Sequence, residues 1–287
     1  MTALLRLWRI LTAVWQTASQ KHLGLIAAGV AFFGMFGIFP GIAAIIAIFG
    51  LVADPVVIAE QLSLMEDIIP PDAFNLIAAQ VYRLAATPTE ALGWATVLSI
   101  ALALWSCRAA VAALIGGLNA IAGQRMRNGL WQMVLALLLT VALVTIAIVA
   151  MITVVIVPVV LAFIPVASST AWLLEGLRWL VAFAVLIMGL SLLYRFGPAR
   201  EGSRGRWITV GAVTVVIVWV AASAGLSFYL TNFASYNEVY GSIGAVIGLL
   251  LWLYVSAYLI LLGAALNVEV HGHGAGSGEN TAFLDEN

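Results

Sequence analysis

The stretch Tyr236-Asn237-Glu238-Val239-Tyr240-Gly241-Ser242-Ile243-Gly244-Ala245-Val246-Ile247-Gly248-Leu249-Leu250-Leu251-Trp252-Leu253-Tyr254, closed by Gly263-Ala264-Ala265-Leu266-Asn267-Val268-Glu269-Val270, decides the fold. No charged residue stands between Glu238 and Glu269. A bilayer crossing needs about 20 predominantly apolar residues, and this run exceeds that length. A helix that had only to dissolve in lipid could be plain leucine. This one carries Tyr240, Gly241, Ser242, Gly244, Gly248, Tyr254, Ser256, Tyr258 and Gly263. Small residues let helix backbones approach closely inside a membrane, and hydroxyls hydrogen-bond across the contact. The segment reads as the packing centre of a membrane helix bundle.

The rest of the composition agrees. Hydrophobic residues make up 64% of the chain and charged residues 9%, against about 25% charged in soluble domains. Mean hydropathy is +1.12. Too few polar residues remain to cover a water-facing surface. A formal net charge of -1 provides no global field to recruit nucleic acid. The single cysteine, Cys107, excludes an internal disulfide and a thiolate metal cluster. The amino end lacks a short apolar core with a small-residue cleavage site, so its first apolar segment is expected to remain as a span.

Working outward, the pattern predicts an all-α polytopic bundle of about six transmembrane helices with amphipathic interfacial helices. Residues 1–22 place Leu4, Leu7, Trp8, Leu11 and Trp15 at helical spacing beside Arg6, Arg9, Lys21 and His22. This basic amphipathic helix suits either the headgroup zone or the inner face of the bundle. The spans are expected at residues 23–53, 92–118, 131–158, 179–194, 207–230 and 241–266 within a membrane domain of residues 23–270. In the first, Gly29, Phe33 and Gly37 recur on one face where another helix can approach, and Pro40 is expected to kink or break the helix. Residues 54–90 hold an acidic set with two apolar stripes, Ile58-Leu62-Met65-Ile69 and Phe74-Ile77-Val81-Leu84, read as amphipathic helices in an outer helical loop. Pro158, Pro165 and Ser168-Ser169-Thr170 read as an apolar outer loop. Residues 271–287, rich in glycine and acidic groups, read as a disordered tail.

Basic residues set the orientation. With the amino end inside, cytoplasmic segments hold Arg6, Arg9, Lys21, Arg125, Arg127, Arg195, Arg200, Arg204 and Arg206, while outer segments hold Arg83 and Arg178. This positive-inside pattern alternates through six spans and is expected to place both termini on the cytoplasmic side of the membrane.

Catalytic chemistry finds little to stand on. His22, His271 and His273 are the only histidines, none lies in an expected span, and no Walker loop, HExxH or GxSxG occurs. His271-Gly272-His273 has metal-pair spacing but no third ligand nearby. The expectation is therefore no catalytic residue, no metal and no cofactor. The polar groups at helix ends and centres are Arg108, Asn119, Tyr194, Arg195, Tyr236, Asn237, Glu238, Tyr240, Ser242 and Asn267, with Ser223, Ser227, Tyr229 and Asn232 beside them. Either they hydrogen-bond neighbouring helices, or the first group lines a cavity for a polar headgroup or anion, with Arg108 as the counter-charge. Arg108 is the one cation well inside an apolar segment. Its partner could be Glu238, Glu269, a lipid phosphate or a substrate.

Several motifs in order, Ala28-Gly29-Val30-Ala31-Phe32-Phe33 with Phe39-Pro40, Leu104-Trp105-Ser106 with Gly117-Leu118-Asn119, Leu193-Tyr194-Arg195-Phe196-Gly197-Pro198, and Ser235 through Asn267, resemble the YihY/virulence factor BrkB family. The resemblance covers about Trp15 to Val270. It implies a bacterial inner-membrane protein with about six spans, once labelled ribonuclease BN and linked to resistance to serum killing. The family usually has Gly-Ala-Glu-Leu-Asn where this chain has Gly263-Ala264-Ala265-Leu266-Asn267. A membrane-embedded carboxylate is thus replaced at Ala265, and Glu269 could substitute for it. The residues argue against a ribonuclease, because RNA cleavage calls for clustered metal ligands and an exposed basic surface. The expected function is a transporter or lipid-translocating protein of the envelope. The alternative is a non-transporting scaffold or assembly factor. The expected partners are membrane lipids and, through residues 54–90, an envelope protein, with no nucleic acid.

Overall fold

The computed structural model describes residues 2–52, 89–125, 129–151, 168–199, 207–232 and 242–282. Among these residues there is no strand. The helices are α1 (Thr2–Gln20), α2 (Leu23–Val52), α3 (Thr89–Ile121), α4 (Gly129–Met151), α5 (Ser168–Phe196), α6 (Val210–Asn232) and α7 (Ser242–Ala282). The chain falls into two compact units, residues 1–33 with 108–287, and residues 34–107. The boundary lies within α2 and α3.

Among the described residues, six helices are long and apolar enough to cross a membrane: Leu23–Gly41, Thr96–Ile121, Gly129–Ala150, Trp172–Phe196, Val210–Tyr229 and Val246–Val270. Their outward side chains are largely apolar, including Leu25, Phe32, Phe36, Leu138, Leu180 and Ile217. Water would penalise that surface, whereas a lipid solvent does not. Exposed tryptophans stand within three residues of span ends at Trp94, Trp131, Trp172 and Trp207, the position of aromatic belts at the membrane–water boundary. This is a multi-pass membrane protein.

Some boundaries differ from the sequence expectation. Pro40 does not break α2, which continues to Val52; in lipid a broken helix would expose backbone groups that nothing else can satisfy. The fourth span starts earlier than residue 179. Glu175 and Arg178 look like loop charges, yet they pair one turn apart, Trp179 donates its indole N–H to Glu175 at 2.9 Å, and Arg178 lies over the Trp179 ring. The pair lets the helix carry both charges, so Ser168–Thr170 open α5 instead of forming a loop. Thr89 and Glu90, placed in the outer loop by the sequence pattern, open α3; the remainder of that loop, residues 54–88, lies outside the described residues, as does the end of the third expected span beyond Met151. At the carboxyl end α7 runs to Ala282 through a segment whose composition predicts disorder. Its glycines each cost a helix about 1 kcal/mol relative to alanine, so this helix is propagated from the span rather than held by local preference.

Two turns are held by left-handed residues. His22 (φ 52°) separates α1 from α2, and Gly123 (φ 65°) closes α3, where the Gln124 N–H reaches the Asn119 carbonyl at 2.9 Å. A glycine in this conformation after a helix is the usual C-cap.

In the larger unit, the core gathers Ala18 of α1, Leu23, Ala27 and Val30 of α2, Ala110, Leu114, Leu118 and Ile121 of α3, Leu193 and Tyr194 of α5, Ala212 of α6, and Ala257, Leu261, Ala264 and Ala265 of α7. A second cluster joins Val111 and Ile115 to Ala136 and Leu139 of α4. Many core positions are alanine, so the helices approach closely. Gly117 makes the same point: a Cβ there would sit 2.7 Å from Leu261 Cδ2 and 3.1 Å from Ile26 Cγ2.

In the smaller unit, a Cβ on Gly37 would lie 2.7 Å from Cys107 Sγ. Of the expected glycine stripe, Gly37 is therefore approached by α3, while Gly29 has open space around it. Gly37→Ala should destabilise by about 1–3 kcal/mol through overpacking. Adding Cys107→Ala removes the sulfur and should recover most of that loss. Thermal unfolding of the two single variants and the double variant measures the coupling.

Candidate functional site

Polar side chains of the larger unit meet where α3 and α5 end and α6 begins, beside Asn267 within α7. Thr209 precedes α6, and its Oγ1 accepts the Ala212 N–H at 3.2 Å. The Gly211 N–H donates to Asn267 Oδ1 of α7 at 2.7 Å, and Asn267 Nδ2 donates to Thr209 Oγ1 at 3.0 Å. The first-turn donors of a helix have no intrahelical acceptor. Thr209 caps one in the ordinary way, and Asn267 caps another from a different helix. This arrangement holds the start of α6 against α7.

The backbones touch beside that cap. A Cβ on Gly211 would collide with the Gly263 carbonyl, and one on Gly263 would collide with Val215 and lie 2.6 Å from the Tyr194 hydroxyl. Tyr194 itself, 8% exposed, donates its hydroxyl to the Ile260 carbonyl at 2.7 Å. Further along the same seam, the Trp219 indole donates to Ser256 Oγ at 2.8 Å and the Trp252 indole to Ser223 Oγ at 3.3 Å, with the two rings 5.7 Å apart. Each tryptophan thus bonds a serine of the other helix.

Asn119, 2% exposed, accepts the Ala199 N–H at 2.7 Å through Oδ1 and ties the end of α3 to the turn after α5. Its Nδ2, and Ser191 Oγ, are buried without a hydrogen-bond partner among the described residues. A Cβ on Gly197, in the same turn, would lie 2.7 Å from Leu118 Cδ1. The Arg195 guanidinium sits 4.4 Å above the Trp207 ring, which meets Phe196 edge-on. Glu269 accepts a hydrogen bond from Thr17 of α1 at 3.3 Å.

The sequence-predicted set is therefore divided. Asn119, Tyr194 and Asn267 each bond the backbone of a neighbouring element, and Arg195 stacks on an aromatic ring. Arg108 is half-buried near the middle of α3, with Nε shut away from solvent. Tyr236, Asn237, Glu238 and Tyr240 lie outside the described residues, as does the Ser242 side chain; the basic residues Arg200, Arg204 and Arg206 lie outside as well. Thr209, Gly211 and Thr17 belong to the polar network but were not singled out by sequence. A Ser/Thr immediately before an apolar run was the available signal for Thr209. Among the described residues, no three of His, Cys, Asp and Glu gather where they could hold a metal ion.

The pattern that defines the virulence factor BrkB family matches residues 14–282. The chain belongs to this family. The chain is similar to the "Putative ribonuclease-like protein YfkH" of Bacillus subtilis (strain 168), 28% identical over 250 residues, 85% of this chain and 89% of the relative. A "UPF0761 membrane protein" of Xanthomonas campestris pv. campestris (strain B100) is 39% identical over 95 residues, 33% of this chain and 22% of the relative. A similar protein from Xanthomonas axonopodis pv. citri (strain 306) is 39% identical over the same length and share. The matched segment spans about a fifth of those Xanthomonas proteins. No solved structure matches the chain. Ala265, where the BrkB-family resemblance leads one to expect glutamate, is fully buried in the apolar core. Glu269 stands one turn further along the same face of α7, against α1.

Proposed function

We propose that this BrkB-family protein is a bacterial inner-membrane transporter or lipid-translocating protein for an anionic solute or lipid headgroup. One observation carries the reading. Arg108 stands at the middle of the Thr96–Ile121 span, roughly 20 Å from either end at 1.5 Å per residue. A cation at that depth costs about 2.5–3.5 kcal/mol on insertion scales, and such residues commonly mark a substrate or ion pathway. Binding sites of membrane transporters lie near the same midplane. The buried Nε supports a guanidinium turned into the protein rather than toward lipid. The distribution of arginines supports cytoplasmic termini. In this reading the protein is not an enzyme, and the ribonuclease-like name stays with the Bacillus relative.

Reconstitution tests it. In vesicles of phosphatidylcholine and phosphatidylglycerol, the protein should make inner-leaflet fluorescent phosphatidylglycerol accessible to dithionite, or should release a trapped anion. Arg108→Gln should slow that flux roughly tenfold or more, the scale of losing one charged hydrogen bond. A wild-type protein that moves neither lipid nor anion overturns the proposal.

The second reading, a non-transporting envelope scaffold or assembly factor, draws support from the α5–α6–α7 seam, whose polar groups are spent on helix-to-helix bonds. Its proposed partner surface, residues 54–90, lies almost wholly outside the described residues. Crosslinking to a specific envelope protein, together with no measurable flux, would select it.

A further inference from the structure

The amino-terminal helix α1 has three faces, not two. At 3.6 residues per turn, Ile10, Val14, Thr17 and Ala18 share one side. Ala18 is buried, Val14 packs on the core, and Thr17 bonds Glu269. Arg9, Thr12, Gln16 and Gln20 share a second side and are exposed. Trp8, Leu11 and Trp15 share the third and are 68%, 53% and 71% exposed. Each side takes roughly a third of the circumference.

A helix with protein on one side and water on the other needs one apolar face and one polar face. A third, apolar and unshielded, calls for a third medium. The connection to α2 shows which medium is near. Only Lys21 and His22 separate α1 from the span beginning at Leu23, so the end of α1 stands at the bilayer surface. Tryptophan favours that boundary, because its ring is apolar and its N–H seeks a polar partner. Trp131 and Trp207, exposed at the starts of the third and fifth spans, stand at span ends on the same side of the alternating topology as α1. Lys21, His22 and Arg9, all exposed, suit anionic headgroups. A second copy of the chain fits less well. These side chains offer roughly 500 Å² or less, against about 800 Å² per partner in a standard interface.

We infer that α1 lies in the membrane surface as an interfacial anchor, with Trp8, Leu11 and Trp15 immersed at the headgroup–acyl boundary and Arg9, Thr12 and Gln16 facing water.

The test uses the full chain carrying Cys107→Ala. Single cysteines are introduced as Trp8→Cys, Leu11→Cys, Trp15→Cys, Arg9→Cys, Thr12→Cys and Gln16→Cys. Each is labelled with a nitroxide and reconstituted in phosphatidylcholine–phosphatidylglycerol vesicles. Collision rates with oxygen, which partitions into lipid, and with a neutral nickel chelate, which stays in water, are then compared. The oxygen-to-nickel ratio should be several-fold higher at positions 8, 11 and 15 than at 9, 12 and 16. Equal ratios in both series place the tryptophan stripe in water and overturn the inference. Shielding of positions 8, 11 and 15 from both reagents means a protein partner or second copy covers them, and overturns it equally. Two series on one helix keep the comparison valid if a single variant fails to fold. The readout is independent of flux, so this inference and the transport proposal fail separately.

Discussion

Alanine at Gly211 should lower the apparent melting temperature of the detergent-solubilised protein by roughly 6–12 °C, the equivalent of about 3 kcal/mol in a protein of this size. Its Cβ would meet the Gly263 carbonyl and lie 2.7 Å from Asn267 Cγ and Oδ1. A flexible side chain could turn away from such a collision. The carbonyl belongs to the backbone of α7 and cannot, so α6 and α7 must separate. Separation would also stretch the Gly211 N–H bond to Asn267 and loosen the Tyr194 hydroxyl bond beside it. Gly263→Ala acts on the same contact and should cost a similar amount. Gly29→Ala is the control. It has open space around it, and alanine gains up to about 1 kcal/mol in helix propensity, so its melting temperature should be unchanged or slightly raised. Equal melting temperatures for Gly211→Ala and Gly29→Ala would show that the helices are not in backbone contact.

The contrast between those glycines shows how far the sequence could be read. A long uncharged run announces a span because no other environment will hold it, and that argument needs no knowledge of neighbours. Gly263 could be picked out as a small residue inside such a run. Gly211 could not, because it stands at the edge of an expected span beside a basic turn, where glycine usually means a turn. Its role depends on Gly263, and no spacing rule links residues so far apart in sequence. The start of α5 was hidden for a related reason: Glu175 and Arg178 count as two charges in a hydropathy window, although together with Trp179 they form one largely neutral group. Arg108 was legible as a lone cation in an apolar segment. Asn119, Tyr194 and Asn267 were legible as polar, but the backbone groups they satisfy belong to other elements.

Asn267→Leu should be the most damaging near-isosteric change in the polar network, at about 2–3 kcal/mol. A typical side-chain hydrogen bond between membrane helices averages only about 0.6 kcal/mol, because the separated helices find other partners. Asn267 differs in what it serves. Its Oδ1 accepts the Gly211 N–H, a first-turn donor of α6 that no residue of that helix can satisfy. Leucine leaves this buried donor without its acceptor and removes the donor that fixes the Thr209 hydroxyl. The penalty for an unmet backbone group in a water-poor site, not the strength of one bond, sets the size of the effect. Asn267→Asp should fall between asparagine and leucine. It keeps an acceptor for Gly211, a negative charge suits a helix N-terminus, and Thr209 can donate its own hydroxyl to the carboxylate. Thr209→Val alone removes the cap on Ala212 and should cost about 1 kcal/mol. Combined with Asn267→Leu it should cost less than the two losses added, because both act on one start of α6. Melting curves for the four variants decide the matter. If Asn267→Leu melts with the wild type, or if the losses simply add, Asn267 does not cap α6 and the site must be rebuilt around some other role for this side chain.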